Sequence, residues 1–174
     1  MDADGLNRRQ LTQRRRPTSS EDHEPVWSPD GARIAFIRWN STASPHDGRA
    51  IFVVNADGSG LRQVTPWKLD AGGHPDWSPD GRRILFRSPS SDVFGSNIYT
   101  IRPDGTGLRQ LTRFAGNVEV LSSSFSPDGR FIVFARTGTG GLPDLFVMRS
   151  NGTELRRLTR TAKWDSNPDW GPVR

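Results

Sequence analysis

Short apolar runs alternate with polar turn segments along most of the chain. The runs are rich in isoleucine, valine, leucine and phenylalanine, and each is bounded by glycine, proline, asparagine or aspartate. Apolar runs of a few residues between such turn formers predict β-strands rather than helices. They lie at residues 34–37, 51–54, 84–86, 98–101, 131–134 and 145–148. The pattern therefore predicts an all-β protein built from short strands.

One turn signal recurs between these runs with a period of about 45–50 residues. It reads Trp-Ser-Pro-Asp-Gly at 27–31 and 77–81 and Phe-Ser-Pro-Asp-Gly at 125–129, and a partial copy, Trp-Gly-Pro, stands at 170–172. Proline and aspartate suit the central positions of a type I turn, and glycine takes the left-handed conformation that closes a bulged hairpin. Each full copy therefore predicts a hairpin after a strand that ends in an aromatic residue.

A second turn signal marks the later part of every repeat. Asp-Gly stands at 57–58 and 104–105 and Asn-Gly at 151–152, and each pair is followed by Val-Thr or Leu-Thr. Together with the apolar runs, the two signals give four strands per repeat, which predicts a β-propeller blade. The predicted blades are residues 18–66, 67–113 and 114–160, with the outer strand of a split blade at 1–17 and an inner closing strand at 161–174.

These repeated residues resemble the TolB-like, WD-related β-propeller repeat family, and the resemblance covers essentially the whole chain. It implies blades of four antiparallel strands and a noncatalytic scaffold that binds a protein or peptide. It also implies an envelope-associated role, and with it a periplasmic or cell-envelope location. The first residues of the chain lack the basic start and the apolar stretch of a secretory signal.

Three complete blades do not fill a propeller ring, which usually closes with about four to eight. Both ends of such an array would expose strand edges and apolar blade faces. We therefore expect either that the chain is part of a longer protein, which we favour, or that copies of it associate to complete a ring.

Arginine dominates the basic residues of the chain. The net charge is +5, and Lys68 and Lys163 are the only lysines among 24 basic residues. Four arginines share one position of the predicted outermost strand: Arg9, Arg62, Arg109 and Arg156. A basic rim attracts nucleic acid and other anionic surfaces, but charged side chains on an outer strand also protect a sheet edge from unwanted pairing. We favour the second explanation and do not expect nucleic acid as a partner.

Signals for catalysis and metal binding are weak. The absence of cysteine excludes disulfides, thiolate metal sites and cysteine nucleophiles. Ser28, Ser78 and Ser126 precede proline in the repeated turn, and no Gly-x-Ser-x-Gly elbow surrounds them. The histidines lack the spacing of a zinc motif, and the turn aspartates match no calcium loop. We therefore predict no catalytic residue, no metal site and no cofactor, and we expect that the protein is not an enzyme.

The strongest candidates for binding stand just before the predicted innermost strands. Counting back three positions from each repeated aromatic residue identifies Glu24, His74, Ser122 and Asn167. Loops that enter the innermost strands of a propeller open at the mouth of its central channel. The four residues differ from one another, which fits recognition of an irregular partner such as a peptide, although ordinary solvated loop residues would look the same. The aromatic residues themselves are predicted to pack between blades: Trp27, Trp77, Phe125 and Trp170.

Two further functions compete with the scaffold hypothesis. The chain could be a fragment of the substrate-gating propeller of a prolyl oligopeptidase or tricorn-type peptidase, because such enzymes carry similar repeats. The catalytic serine would then lie in another domain. A lectin-like propeller that binds sugars or anions is the third hypothesis. Fold alone does not decide among them.

Overall fold

The computed structural model describes residues 6–12, 20–40, 48–89, 95–138 and 141–171. These residues form three sheets of four antiparallel strands each. The first sheet contains β1 Ser20–Trp27, β2 Arg33–Asn40, β3 Gly48–Asn55 and β4 Arg62–Gln63. The second contains β5 Gly72–Trp77, β6 Ile84–Pro89, β7 Ser96–Ile101 and β8 Arg109–Gln110. The third contains β9 Val120–Phe125, β10 Phe131–Arg136, β11 Asp144–Arg149 and β12 Arg156–Arg157.

Each sheet is a simple meander, because the order of its strands follows the order of the chain. The two middle strands pair over their full length, from Arg33 opposite Asn55 to Asn40 opposite Gly48 in the first sheet. A short 3₁₀ helix, Trp67–Leu69, connects the first sheet to the second. Four-stranded antiparallel sheets in radial repetition are the blades of a β-propeller. The predicted fold class is confirmed.

The Ser-Pro-Asp-Gly turns are closed by the same side-chain contacts in every blade. In the third blade, the Ser126 hydroxyl donates to Asp128 Oδ1 at 2.6 Å, and the backbone N–H of Phe131 donates to Ser126 Oγ at 2.9 Å. The hydrogen bond from Ser126 lowers the pKa of Asp128, which keeps this carboxylate charged. Gly129 has a φ of 69°, the left-handed conformation that the turn requires. The turn serines are therefore structural, as the sequence predicts.

The aromatic residue that ends an innermost strand packs against the preceding blade. Trp77 is 4% exposed, its indole N–H donates to Val26 O at 3.2 Å, and the Arg33 guanidinium lies 5.0 Å from its ring centroid. Phe125 is buried between the second and third blades. Trp27 is 57% exposed, because no complete blade precedes it among the described residues. Packing between blades is confirmed for Trp77 and Phe125, and the prediction is wrong for Trp27 in this structure.

Within the described ranges, the residues that flank the three sheets contain no strand. Residues 6–12, within the predicted outer strand, and residues 161–171, within the predicted inner closing strand, contain none. A strand needs a hydrogen-bonded neighbour, and the middle strands of the split blade are absent from the described ranges. Trp170 nevertheless lies beside β9, since its indole N–H donates to Ser124 O at 3.3 Å. The rest of the two predicted segments, residues 1–5, 13–17 and 172–174, lies outside the described residues.

Candidate functional site

The innermost strands β1, β5 and β9 lie side by side at the centre of the blade array. Asp76 joins β5 to β9, because its Oδ2 atom accepts hydrogen bonds from Phe125 N at 2.7 Å and from Ser124 Oγ at 3.1 Å. Burial raises the pKa of Asp76 above its ordinary value in spite of these hydrogen bonds. The inner strands therefore form a connected wall on which the candidate binding residues are mounted.

The sequence predicts that the candidate residues lie in loops that enter the innermost strands, but two of them, Glu24 and His74, lie at bulges within those strands. Glu24 lies in β1 and His74 in β5, and the pairing register of both strands shifts around these positions. Their φ values are 52° and 48°, and Asn167, which lies outside any strand, has a φ of 54°. Left-handed backbone is costly for residues other than glycine. The expected placement in loops is therefore corrected for Glu24 and His74, and these two residues share left-handed backbone with Asn167.

Ser122 does not share this arrangement. It lies in β9, is 8% exposed, and has no left-handed backbone. Its hydroxyl is buried without a hydrogen-bond partner among the described residues. The register irregularity of β9 falls one step earlier, between the residues paired with Ala135 and Arg136. Ser122 is therefore not an exposed loop residue, and a binding role for it and for Asn167 stays a prediction.

Glu24 and His74 are brought into direct contact across two blades. The backbone N–H of His74 donates to the Glu24 carboxylate, and His74 Nδ1 lies 4.0 Å from Glu24 Oε2. The His74 side chain is 56% exposed and that of Glu24 is 38% exposed. The pair therefore presents one carboxylate and one imidazole at the surface of the inner wall.

Two arginines that the sequence analysis missed complete this surface. Arg49 of β3 donates to Asp70 through Nε at 3.0 Å and through Nη2 at 2.8 Å. Arg87 of β6 lies 3.5 Å from a Glu119 carboxylate oxygen. Both belong to middle strands, where the alternating sequence pattern gave no reason to separate them from other surface arginines. The only local signal is the Gly-Gly pair at 72–73 that precedes His74.

The two glycines leave room for the guanidinium groups. A Cβ atom added to Gly72 would lie 2.9 Å from Arg49 Cζ, and one added to Gly73 would lie 2.0 Å from Arg87 Nε. Gly73 also has a φ of 69°. A side chain at either position would therefore displace an arginine from the inner wall.

Charge at this site is close to balanced. Burial lowers the pKa of Arg87, and the neighbouring positive charge of Arg49 lowers it further. The hydrogen bonds to Asp70 raise the pKa of Arg49. Glu24, Asp70 and Glu119 supply negative charge to Arg87. The site therefore combines fixed hydrogen-bond donors and acceptors of both charges, which suits recognition of a polar partner.

The described residues do not assemble a catalytic or metal-binding constellation here. No serine hydroxyl in these ranges is hydrogen-bonded to a histidine, and no group of three or more metal-ligating side chains occurs among them. Within the same part of the chain, no helix has the length and apolar character needed to cross a lipid bilayer.

Comparison with known proteins first identifies relatives by sequence. The profile of the TolB beta propeller domain matches residues 1–173. The Tol-Pal system protein TolB of Anaeromyxobacter dehalogenans strain 2CP-C is 38% identical over 96 residues, which cover 55% of this chain and 21% of that protein. That of Alcanivorax borkumensis is 31% identical over 83 residues, which cover 48% of this chain and 17% of that protein. The chain thus matches about a fifth of the length of these relatives.

Solved structures share the blade architecture. TolB from Acinetobacter baumannii superposes with a TM-score of 0.66 at 22% identity, covering 84% of this chain and 34% of that one. Puromycin hydrolase gives 0.71 at 22% identity, covering 92% and 26%. Oligogalacturonate lyase in complex with manganese gives 0.67 at 17% identity, covering 86% and 44%. These likenesses show the fold alone, whereas the profile match over nearly the entire sequence shows that the chain belongs to the TolB β-propeller domain family.

Proposed function

We propose that the chain is a noncatalytic β-propeller scaffold that binds a protein or peptide segment along its innermost strands. The observation that carries the proposal is the contact of Glu24 with His74 across two blades, on left-handed backbone. Costly backbone conformations that the surrounding structure maintains are concentrated at functional sites. The name of the curated relatives, Tol-Pal system protein, supports a role in a protein assembly and a periplasmic or cell-envelope location.

The chemistry of the inner wall matches an extended peptide. A peptide main chain offers donors and acceptors in alternation. Glu24 supplies an acceptor, and Arg49 and Arg87 supply donors that are held in place by Asp70 and Glu119. Preorganised groups of this kind lower the entropic cost of binding.

The test is a selection from a random dodecapeptide display library on the full 174-residue chain. Selected peptides are then titrated by calorimetry against the parent and against E24Q and H74A. We expect affinity to fall by about tenfold or more in these variants, because each removes a central polar contact. E154Q is the matched control, since Glu154 also has left-handed backbone, with a φ of 56°, and its carboxylate is paired as well, in this case with Arg149.

Two results would overturn the proposal. One is an equal loss of affinity in E24Q and E154Q, which would mean that the peptide does not use the inner wall. The other is cleavage of a selected peptide during incubation with the purified chain, detected by mass spectrometry, which would contradict a noncatalytic role.

A second candidate function is the substrate-gating propeller of a prolyl oligopeptidase-type enzyme, which the superposition on puromycin hydrolase favours. The catalytic serine would then belong to another domain. Reading the coding sequence on either side of this chain tests this second function. A hydrolase domain in the same reading frame would support it, and the absence of such a domain would favour the scaffold function.

A further inference from the structure

A second cleft lies between the second and third blades, at the end of the strands opposite to the loops that carry Asp70 and Glu119. It encloses about 660 Å³. Its walls are the Ser-Pro-Asp-Gly turns of both blades, the β7–β8 hairpin, and the start of the β11–β12 hairpin at Ser150 and Asn151. Clefts of this size hold small ligands in other proteins. The proposed peptide site contains none of these residues.

Arginine is concentrated in this cleft and forms no ion pair there among the described residues. Four arginines line it: Arg82, Arg83, Arg102 and Arg109. None of them lies within 4.0 Å of a carboxylate among the described residues. Other arginines of the described chain do have such partners: Arg38, Arg49, Arg87, Arg149 and Arg157. All four arginines that line the cleft therefore lack an ion pair among the described residues.

The carboxylates that line the cleft are already engaged in their own turns. Asp80 Oδ1 accepts from Ser78 Oγ at 2.6 Å and from Arg82 N at 3.0 Å. Asp128 Oδ1 accepts from Ser126 Oγ at 2.6 Å in the same way. Two carboxylates against four guanidinium groups leave an excess of positive charge, which attracts anions into the concave surface.

Arg83 is held in position rather than left to move freely. Its Nη1 donates to Thr100 Oγ1 at 3.1 Å and to Gly107 O at 3.2 Å. The cleft brings Arg83, Arg102 and Arg109 together. Burial lowers the pKa of Arg83, and the charges of Arg109 and Arg102 lower it further, whereas the charge of Asp80 raises it. Like charges that outnumber the opposite charges around them cost free energy, and an anion in the cleft would reduce that cost.

The donors in this cleft outnumber the acceptors that a single carboxylate could offer. Asn151 uses its side-chain oxygen to accept from Thr153 N at 3.0 Å, so its amide N–H groups remain as donors beside the arginines. A phosphate group presents more oxygens and more charge than a carboxylate, and planar guanidinium forks match it well. Phe125 is only 8% exposed, so the cleft offers little aromatic surface on which a base could stack.

A neighbouring depression extends the same surface. It encloses about 260 Å³, shares Arg82 and Arg102 with the cleft, and adds two arginines, Arg33 and Arg62, and one carboxylate, Asp104. We propose that this arginine cleft binds a ligand with two or more linked phosphate groups, recognised through its phosphate oxyanions. The ligand is a free polyphosphate or the phosphate backbone of a single-stranded nucleic acid, which share this chemistry.

The probe is inorganic tripolyphosphate, titrated by calorimetry into the 174-residue chain. We expect R82Q/R109Q to weaken binding by about tenfold or more, because charge-assisted hydrogen bonds are lost. The matched control is R130Q/R156Q, which changes the charge equally. Arg130 follows the turn glycine of the third blade as Arg82 does in the second, and Arg156 begins β12 as Arg109 begins β8. Circular dichroism checks that both double variants remain folded.

Competition assigns the source of the phosphate. Displacement of tripolyphosphate by oligothymidylate, with the same arginine dependence, indicates a nucleic-acid backbone, and its failure indicates a free polyphosphate. The proposal is overturned by an equal loss of affinity in the two double variants, by tighter binding of citrate than of tripolyphosphate, by binding only to phosphatidylglycerol vesicles, or by no measurable heat at millimolar tripolyphosphate.

Discussion

Replacing Trp77 with alanine tests how strongly neighbouring blades hold each other. The ring is 4% exposed between the first and second blades, donates its indole N–H to Val26 O, and carries the Arg33 guanidinium on its face. Trp27 occupies the same position of the repeat but is 57% exposed. The two residues therefore differ mainly in whether a blade covers them.

The expected cost follows from the buried surface. Burying an aromatic side chain removes about 150–250 Å² from water, and ~25 cal/mol per Å² converts this to roughly 4–6 kcal/mol. Large-to-small replacements of buried aromatic residues cost about 3–5 kcal/mol. We therefore expect W77A to lower the free energy of unfolding by about 4 kcal/mol and W27A by about 2 kcal/mol, since less than half of the Trp27 side chain is buried.

The assay is urea denaturation of the 174-residue chain followed by far-ultraviolet circular dichroism, which does not depend on the replaced tryptophan. Single domains are stable by only about 5–15 kcal/mol, so W77F serves if W77A is already unfolded without urea. An equal cost for W27A and W77A would refute the reasoning, because it would mean that Trp27 is covered in solution or that the interface between blades contributes little.

Three other substitutions test local features. Because the pKa of Asp76 is raised, its contribution to stability is present below its ordinary pKa and is lost as pH rises through the raised value. In urea titrations, D76N should therefore become more stable relative to the parent as pH rises through this interval, and a difference that does not depend on pH would contradict this. S126A should cost about 1 kcal/mol, because the partly buried backbone N–H of Phe131 loses its acceptor, and a cost near zero in thermal melts would count against the role of Ser126 in the turn. G73A should lower the free energy of unfolding by at least about 1 kcal/mol more than G116A, because both glycines have a φ of 69° but only at Gly73 would an added Cβ atom clash with Arg87. Equal shifts of the melting temperature in the two variants would contradict this.

The fold was predictable because its signals are local. The Ser78 hydroxyl donates a hydrogen bond to Asp80 two residues away, and this turn joins two strands, β5 and β6, that are adjacent in the chain and paired in the sheet. The site was less predictable, because Glu24 meets His74 across 50 positions and through a bulge that no residue pattern announces. Ser122 occupies the matching position but is buried, since the irregularity of β9 falls elsewhere. Equivalent positions of the repeat therefore lie in equivalent strands but differ in burial and in backbone conformation.

The arginine cleft was hidden for a different reason. Arg109 was noted as one of four equivalent outer-strand arginines, and the repeat alone gave no reason to separate it from Arg156. The described structure separates them, because Arg109 faces a third blade and Arg156 does not line that cleft. Which cations gather depends on contacts between turns of successive blades, and these contacts are set by packing rather than by chain neighbours.

The hydrogen bond from Trp77 to Val26 O recurs as that from Trp170 to Ser124 O. Both acceptors are main-chain carbonyls, and their side chains, one apolar and one polar, have no part in the bond. A duplicated blade that carries this tryptophan could therefore form the same hydrogen bond to the main chain of the preceding blade, whatever side chain stands at the acceptor residue. Gene duplication and deletion can lengthen or shorten such an array by whole units, while residues on its loops and inner wall diverge independently from one copy to the next.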